Sequence, residues 1–263
     1  MSYQAITFDV ADGIGTLTLN RPDAFNALDM QMGKELLDVA NRCDGDPAVR
    51  CVILTGSGDK AFCAGGDLAM MQQAGDDVAR LVRELTTYLH AALSRFSRMD
   101  APVIGAINGV AAGAGISLAA FVDLAIAAES ARFMSAYSAA GLTPDGSSTY
   151  FLPRMIGLRR YLELALLNRS LSAQEALDWG IVNRVVPDAD LGDEVQALAR
   201  QLADGPSRAY GGIKRLAHNS FSDTLESQME LETRLIAEMV QSRDGQEGIN
   251  AFVAKKTPKF TGS

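Results

Sequence analysis

Val110 to Ala128 constrains the fold more than any other stretch, because it is almost entirely apolar. A run of about 20 such residues is long enough to cross a bilayer. This one contains Gly113, Gly115 and Ser117, however, and Asp123 interrupts it. An aspartate in mid-membrane costs about 2.5–3.5 kcal/mol. The run also divides naturally into a helix, Gly113 to Phe121, and a strand, Leu124 to Ala128. Both would be buried on every side, which requires a large core around them. A chain of 263 residues can supply one, since chains of that size bury about 70–75% of the surface they expose when unfolded.

The same reasoning marks Cys51 to Thr55 and Val103 to Ile107 as buried strands. Gly15 to Asn20 alternates as a half-buried strand does. Asp29 is placed to cap a helix with Met32, Leu36, Val39 and Cys43 on one face, ending at Asp44 to Pro47. A longer helix is expected from Asp77 to Ser97, with Val78, Leu81, Leu85, Leu89 and Leu93 at helical spacing. Strands thus alternate with helices to about residue 190, which is α/β architecture. Beyond that, Leu191 to Leu202 and Phe221 to Val240 read as helices with no strand between them. The division expected is a core, residues 1–195, and a C-terminal helical region, residues 196–263.

Charge and motif content exclude several functions. Lys and Arg number 24 against 32 Asp and Glu, a net charge of −8, so neither nucleic acid nor an anionic membrane is the expected partner. Cys43, Cys51 and Cys63 have no metal spacing and suit a reducing compartment. The opening residues MSYQAITFDV lack the basic and apolar regions of a secretory signal, so a cytoplasmic location is expected. His90 and His218 are the only histidines, which makes a zinc site improbable. There is no phosphate loop, GVAAGAG fails the dinucleotide spacing, and no G-x-S-x-G elbow exists.

Two segments share a design. CVILTG leads into KAFCAGGDL, and VIGAI leads into NGVAAGAGISLAA. Small residues at a strand-to-helix turn leave backbone N–H groups free to face a developing negative charge. Gly66 and Ala114 are the best placed donors. Tight packing alone also explains such turns.

AFCAGGDL, INGVAAGAGISLA, ARFMSAYSAAGLTPDGSSTYFLPRMIG, LSAQEALDWGIVNRVVP and AFVAKKTPKF occur in that order. Together they resemble the enoyl-CoA hydratase/isomerase, or crotonase, family from about Phe8 to Phe260. The resemblance implies a spiral of ββα units, a C-terminal helical part that builds a homotrimer or a dimer of trimers, and an acyl-CoA thioester substrate. It places the two oxyanion donors at Gly66 and Ala114. The second is usually glycine; alanine keeps its N–H, but its methyl restricts φ. No metal or redox cofactor is implied.

Hydratases of the family carry two glutamates, and this chain has Ser117 and Tyr137 at those positions. Neither is a carboxylate base near neutral pH. Asp145, in GLTPDGSS, is the remaining carboxylate. Members with a proton-shuttling carboxylate there resemble isomerases that move a double bond, including ring-epoxide isomerases. In that reading Asp145 removes a proton and returns it two carbons away, with Tyr137 as an orienting hydroxyl. A second reading follows the aryl-CoA dehalogenases, in which the aspartate attacks the ring and a histidine, here His90, activates water. This chain departs from them at Tyr137, where they have tryptophan. Hydration by another route and a non-catalytic acyl-CoA binding role stay open.

The resemblance further implies CoA contacts at Ala24, Ala64, Asp67, Leu68, Lys255 and Phe260, the last two often across a subunit boundary. Four of them have a plainer reading. Asp67 caps a helix, Arg21 to Ala24 forms a turn, and Lys255, Lys256 and Phe260 belong to a solvated tail. Met70 and Met71 either line an acyl tunnel or pack the core, and Phe151 is a further side chain that would shape such a tunnel. Trp179 reads as structural, Asp123 as a cap or ion-pair partner, and His218 as an exposed polar residue.

Overall fold

A computed structural model describes residues 3–263. Two sheets organise it. The larger has the order β1 (Ile6–Ala11), β2 (Ile14–Leu19), β3 (Cys51–Gly56), β5 (Val103–Ile107), β7 (Leu124–Ala128) and β10 (Arg184–Val186). The smaller has β4 (Ala61–Cys63), β6 (Val110–Ala112), β8 (Arg132–Met134) and β9 (Leu171–Ser172). Successive units give one strand to each sheet: β3 then β4, β5 then β6, β7 then β8. That is the expected spiral of ββα units.

The central strands are apolar throughout because both faces of the larger sheet are covered. Val52, Leu54, Val103 and Ile107 face the main core with α1 (Met30–Gly45) and α3 (Val78–Arg98). Cys51, Ile53, Ile104 and Ile126 face the opposite way, onto α8 (Leu191–Ala203). Leu191, Val195, Ala199 and Ala203 of that helix all lie in one cluster with the sheet. The division at 195/196 therefore falls inside a helix that covers the core.

The apolar run resolves into β6, α4 (Ala114–Phe121) and β7, and no helix among the described residues is long and apolar enough to cross a membrane. Asp123, at the turn between α4 and β7, accepts from the Val103 amide at 2.7 Å and pairs with Lys214 at 2.8 Å. Lys214 is almost completely buried and also donates to the carbonyls of Phe96 and Ala101. Asp29 caps α1 as expected, accepting from Met32 N at 2.8 Å. The C-terminal part holds more than the two expected helices: α9 (Ser207–Asn219) and α11 (Arg243–Val253) flank α10 (Leu225–Gln241).

Candidate active site

The two small-residue turns meet. A side chain on Gly65 would stand 3.0 Å from Ala112 O and 3.3 Å from Ala114 N. Gly65 and Gly113 have φ of 102° and 53°, conformations glycine adopts without strain. A Cβ on Gly115 would fall 1.9 Å from Cys63 O, so α4 is seated directly against β4. The positive φ falls on Gly113 rather than Ala114, which enters α4 as an ordinary helical residue. The methyl of Ala114 thus meets no conformational barrier. Among the described residues, neither the Gly66 nor the Ala114 amide donates to a protein acceptor. The Ala114 amide also lies at the positive end of the α4 dipole.

One turn along α4, Ser117 is fully buried and turns toward the segment that carries Asp145. Its hydroxyl donates to Asp145 O at 2.9 Å and lies 3.3 Å from the Tyr137 hydroxyl. Ser148 donates to the same carbonyl at 3.0 Å. Tyr137 donates to Asp145 Oδ1 at 2.6 Å. Burial, then the charge of Asp145, pushes the Tyr137 phenol well above its ordinary range, so it stays a donor. Ser117 and Tyr137, where the resemblance to hydratases would place glutamates, thus carry hydroxyls that fix the Asp145 segment. Gly146, with φ of 59°, lets the chain pass close to Ser117.

His90 belongs to the same cluster: its Nε2 accepts from Gly146 N at 3.2 Å. It and Asp145 line a cavity of about 820 Å³. His218, read as exposed, is half-buried in that cavity and packs edge-on against Phe151 at 5.7 Å. Burial holds its imidazole below the ordinary value. The contact joins α9 to α5 (Ser148–Ile156), and no local pattern announces it. Phe151 both lines the cavity and packs against the main core.

The Gly66 turn is braced from the segment before α1. Ala64 N donates to Phe25 O, Leu28 N to Gly65 O, and Asp67 N to Leu28 O. Asn26, missed in the sequence, organises this brace. It is wholly buried with φ of 56°, and its amide donates to the carbonyls of Ser57 and Ala61. Asp67 caps α2 (Leu68–Gln73) through Met70 N and binds Arg21 at 2.9 Å. Burial works against its charged form, but the Met70 amide and Arg21 prevail and hold the carboxyl below its usual range. Ala24 lies in the short 3₁₀ turn Pro22–Ala24, while Ala64 and Leu68 are exposed beside Gly66. Met71 packs against Gly66, with its methyl 2.8 Å from where a Cβ there would be. Phe260 is held at the far end of β3 from these turns. Lys255 is exposed, and Arg50, ahead of β3, holds Phe260 O at 3.2 Å. Gly66 lies beyond the other end of that strand, which spans about 20 Å. Among the described residues, no cluster of His, Cys, Asp and Glu is placed to hold a metal ion.

Known proteins resemble this chain over nearly its whole length. The chain is 41% identical over 254 residues to a 1,2-epoxyphenylacetyl-CoA isomerase of Escherichia coli K12, covering 96% of this chain and 97% of that one. It is 40% identical to a probable enoyl-CoA hydratase of Rhodobacter capsulatus, covering 100% of both. A crystal structure of a putative enoyl-CoA hydratase/isomerase from Mycobacterium abscessus superposes with a TM-score of 0.93 at 34% identity, covering 98% of this chain and 100% of that one. The profile of the enoyl-CoA hydratase/isomerase family matches residues 9–263, and the chain is an enzyme belonging to that family.

Proposed function

We propose that the enzyme isomerises the double bond of an enoyl-CoA thioester, or rearranges a ring conjugated to one, with Asp145 as its single acid/base. The observation that carries this reading is the 2.6 Å hydrogen bond from Tyr137 to Asp145 Oδ1. It fixes one carboxylate oxygen and leaves Oδ2 to exchange a proton with substrate. Asp145 removes a proton from the carbon beside the thioester carbonyl. The Gly66 and Ala114 amides hold the enolate oxygen, and the same proton returns two carbons along the acyl chain. Removing one such donor costs about 10²–10³ in rate in comparable sites. This route calls on no metal or redox group.

The hydrolytic reading is less well supported. His90 Nε2 already accepts from Gly146 N, so the neutral ring has no lone pair left to activate water. The exposed apolar residues of α10 and the tail held away from its own turns favour a homotrimer or a dimer of trimers. In that assembly Lys255 and Phe260 would serve a neighbouring subunit's CoA. The test is product identity: a 3-enoyl-CoA should give the 2-enoyl isomer with wild type and almost none with Asp145→Asn. A 3-hydroxyacyl product at comparable rate would replace isomerisation by hydration.

A further inference from the structure

The cavity beside Asp145 is polarised along its length, and α3 measures it. His90 meets Gly146 at one end. Arg98, on the same helix and also lining the cavity, lies two turns on, about 12 Å away. Arg215 and His218, three residues apart on α9, face the same space. Arg215 has one loose acidic neighbour, Asp100, at 3.9 Å. Among the described residues, the exposed Arg98 guanidinium has no hydrogen-bond or ion-pair partner. Among the described residues, Asp145 is the only acid lining the cavity, and it sits at the other end. Leu93, Ser94 and Ser97 of α3 line it between the two ends, and Tyr150 and Phe151 add apolar wall. Gly66 and Ala114 do not line this cavity. Asp145 does, and Ser117 of α4 holds its carbonyl, so an acyl group anchored at Ala114 and passing Asp145 would enter the cavity there and run toward the guanidinium groups.

We propose that this cavity selects acyl groups ending in a carboxylate, which Arg98 and Arg215 bind. The proposal rests on the reading of Gly66 and Ala114 as the thioester site. The same guanidinium groups are also suited to the phosphates of CoA itself, and the experiment separates the two sources.

Binding is measured calorimetrically with the full chain and saturated, unreactive thioesters, so the chemical step plays no part. The probes are octanoyl-CoA, suberoyl-CoA, which differs in carrying a terminal carboxylate, and free CoA. Wild type should bind suberoyl-CoA at least about tenfold more tightly, the effect of a charge-assisted contact. The double variant Arg98→Met, Arg215→Met should lose that preference and bind octanoyl-CoA as before. Equal affinity of wild type for the two esters would overturn the proposal. So would a double variant that weakens all three probes alike, which would assign the arginines to CoA phosphate. Octanoyl-CoA binding no tighter than free CoA would instead count against the thioester site itself.

Discussion

Helices α4 and α10 are both rich in apolar residues, yet their surroundings are opposite. Every residue of α4 is buried, whereas in α10 only Leu235 is. Leu225, Met229, Ile236 and Val240 of α10 face outward in the single chain. The contacts that position α4 therefore all come from within the chain, and that helix carries both Ala114 and Ser117. The outer face of α10 finds no cover in the chain. The proposed chemistry rests on the fully buried helix, and the proposed assembly on the helix with unmet apolar surface.

Substitutions can break or sharpen that contrast. Gly115→Ala should be the most damaging, because the new methyl meets backbone at Cys63 rather than a movable side chain. We expect a loss of about 4 kcal/mol, above the usual overpacking range; a wild-type melting curve would contradict the tight seating of α4. Lys214→Met removes the partner of Asp123 below α4. Asp123 keeps the Val103 amide, so the loss should be about 3 kcal/mol in denaturant unfolding, the low end for a broken buried pair. On α10, Ile236→Ser should change the stability of the isolated fold by about 0.5 kcal/mol or less. It should nevertheless shift the light-scattering mass, from a multiple of three chains toward one. A monomeric wild type would remove the assembly argument.

The smallest effect is set by pH. Burial depresses the His218 imidazole, so the unfolded chain takes up that proton more readily than the folded one. Its contribution to stability is full above about pH 6.5 and is lost as pH falls through the folded value. His218→Asn should flatten stability against pH in that window, and an unchanged slope would argue against the buried setting.

Legibility in the sequence follows the same contrast. The ranges of β5 and β7 were readable because strands covered on both faces are continuous apolar runs. β1 went unread because Ile6 is its only buried residue. β4, β6, β8 and β9 are two or three residues long, too short to show a period. In the site, Asp145 and Tyr137 were legible through residue order within a motif. The Ser117 hydroxyl was seen only as a missing glutamate, and its grip on the Asp145 carbonyl depends on how α4 meets a distant turn. Asn26 and His218 are fixed by tertiary contacts to Ala61 and Phe151, which leave no local pattern.

The proposed isomerisation requires one carboxylate, Asp145, held by Tyr137, to move the proton. The most direct test is deuterium exchange in D2O at the carbon beside the thioester carbonyl, followed by mass spectrometry with thioester binding measured in parallel. Wild type should exchange, and Asp145→Asn should exchange about 10²–10⁴-fold more slowly while binding the thioester normally. Equal exchange in the two proteins would contradict the assignment of Asp145 as the base.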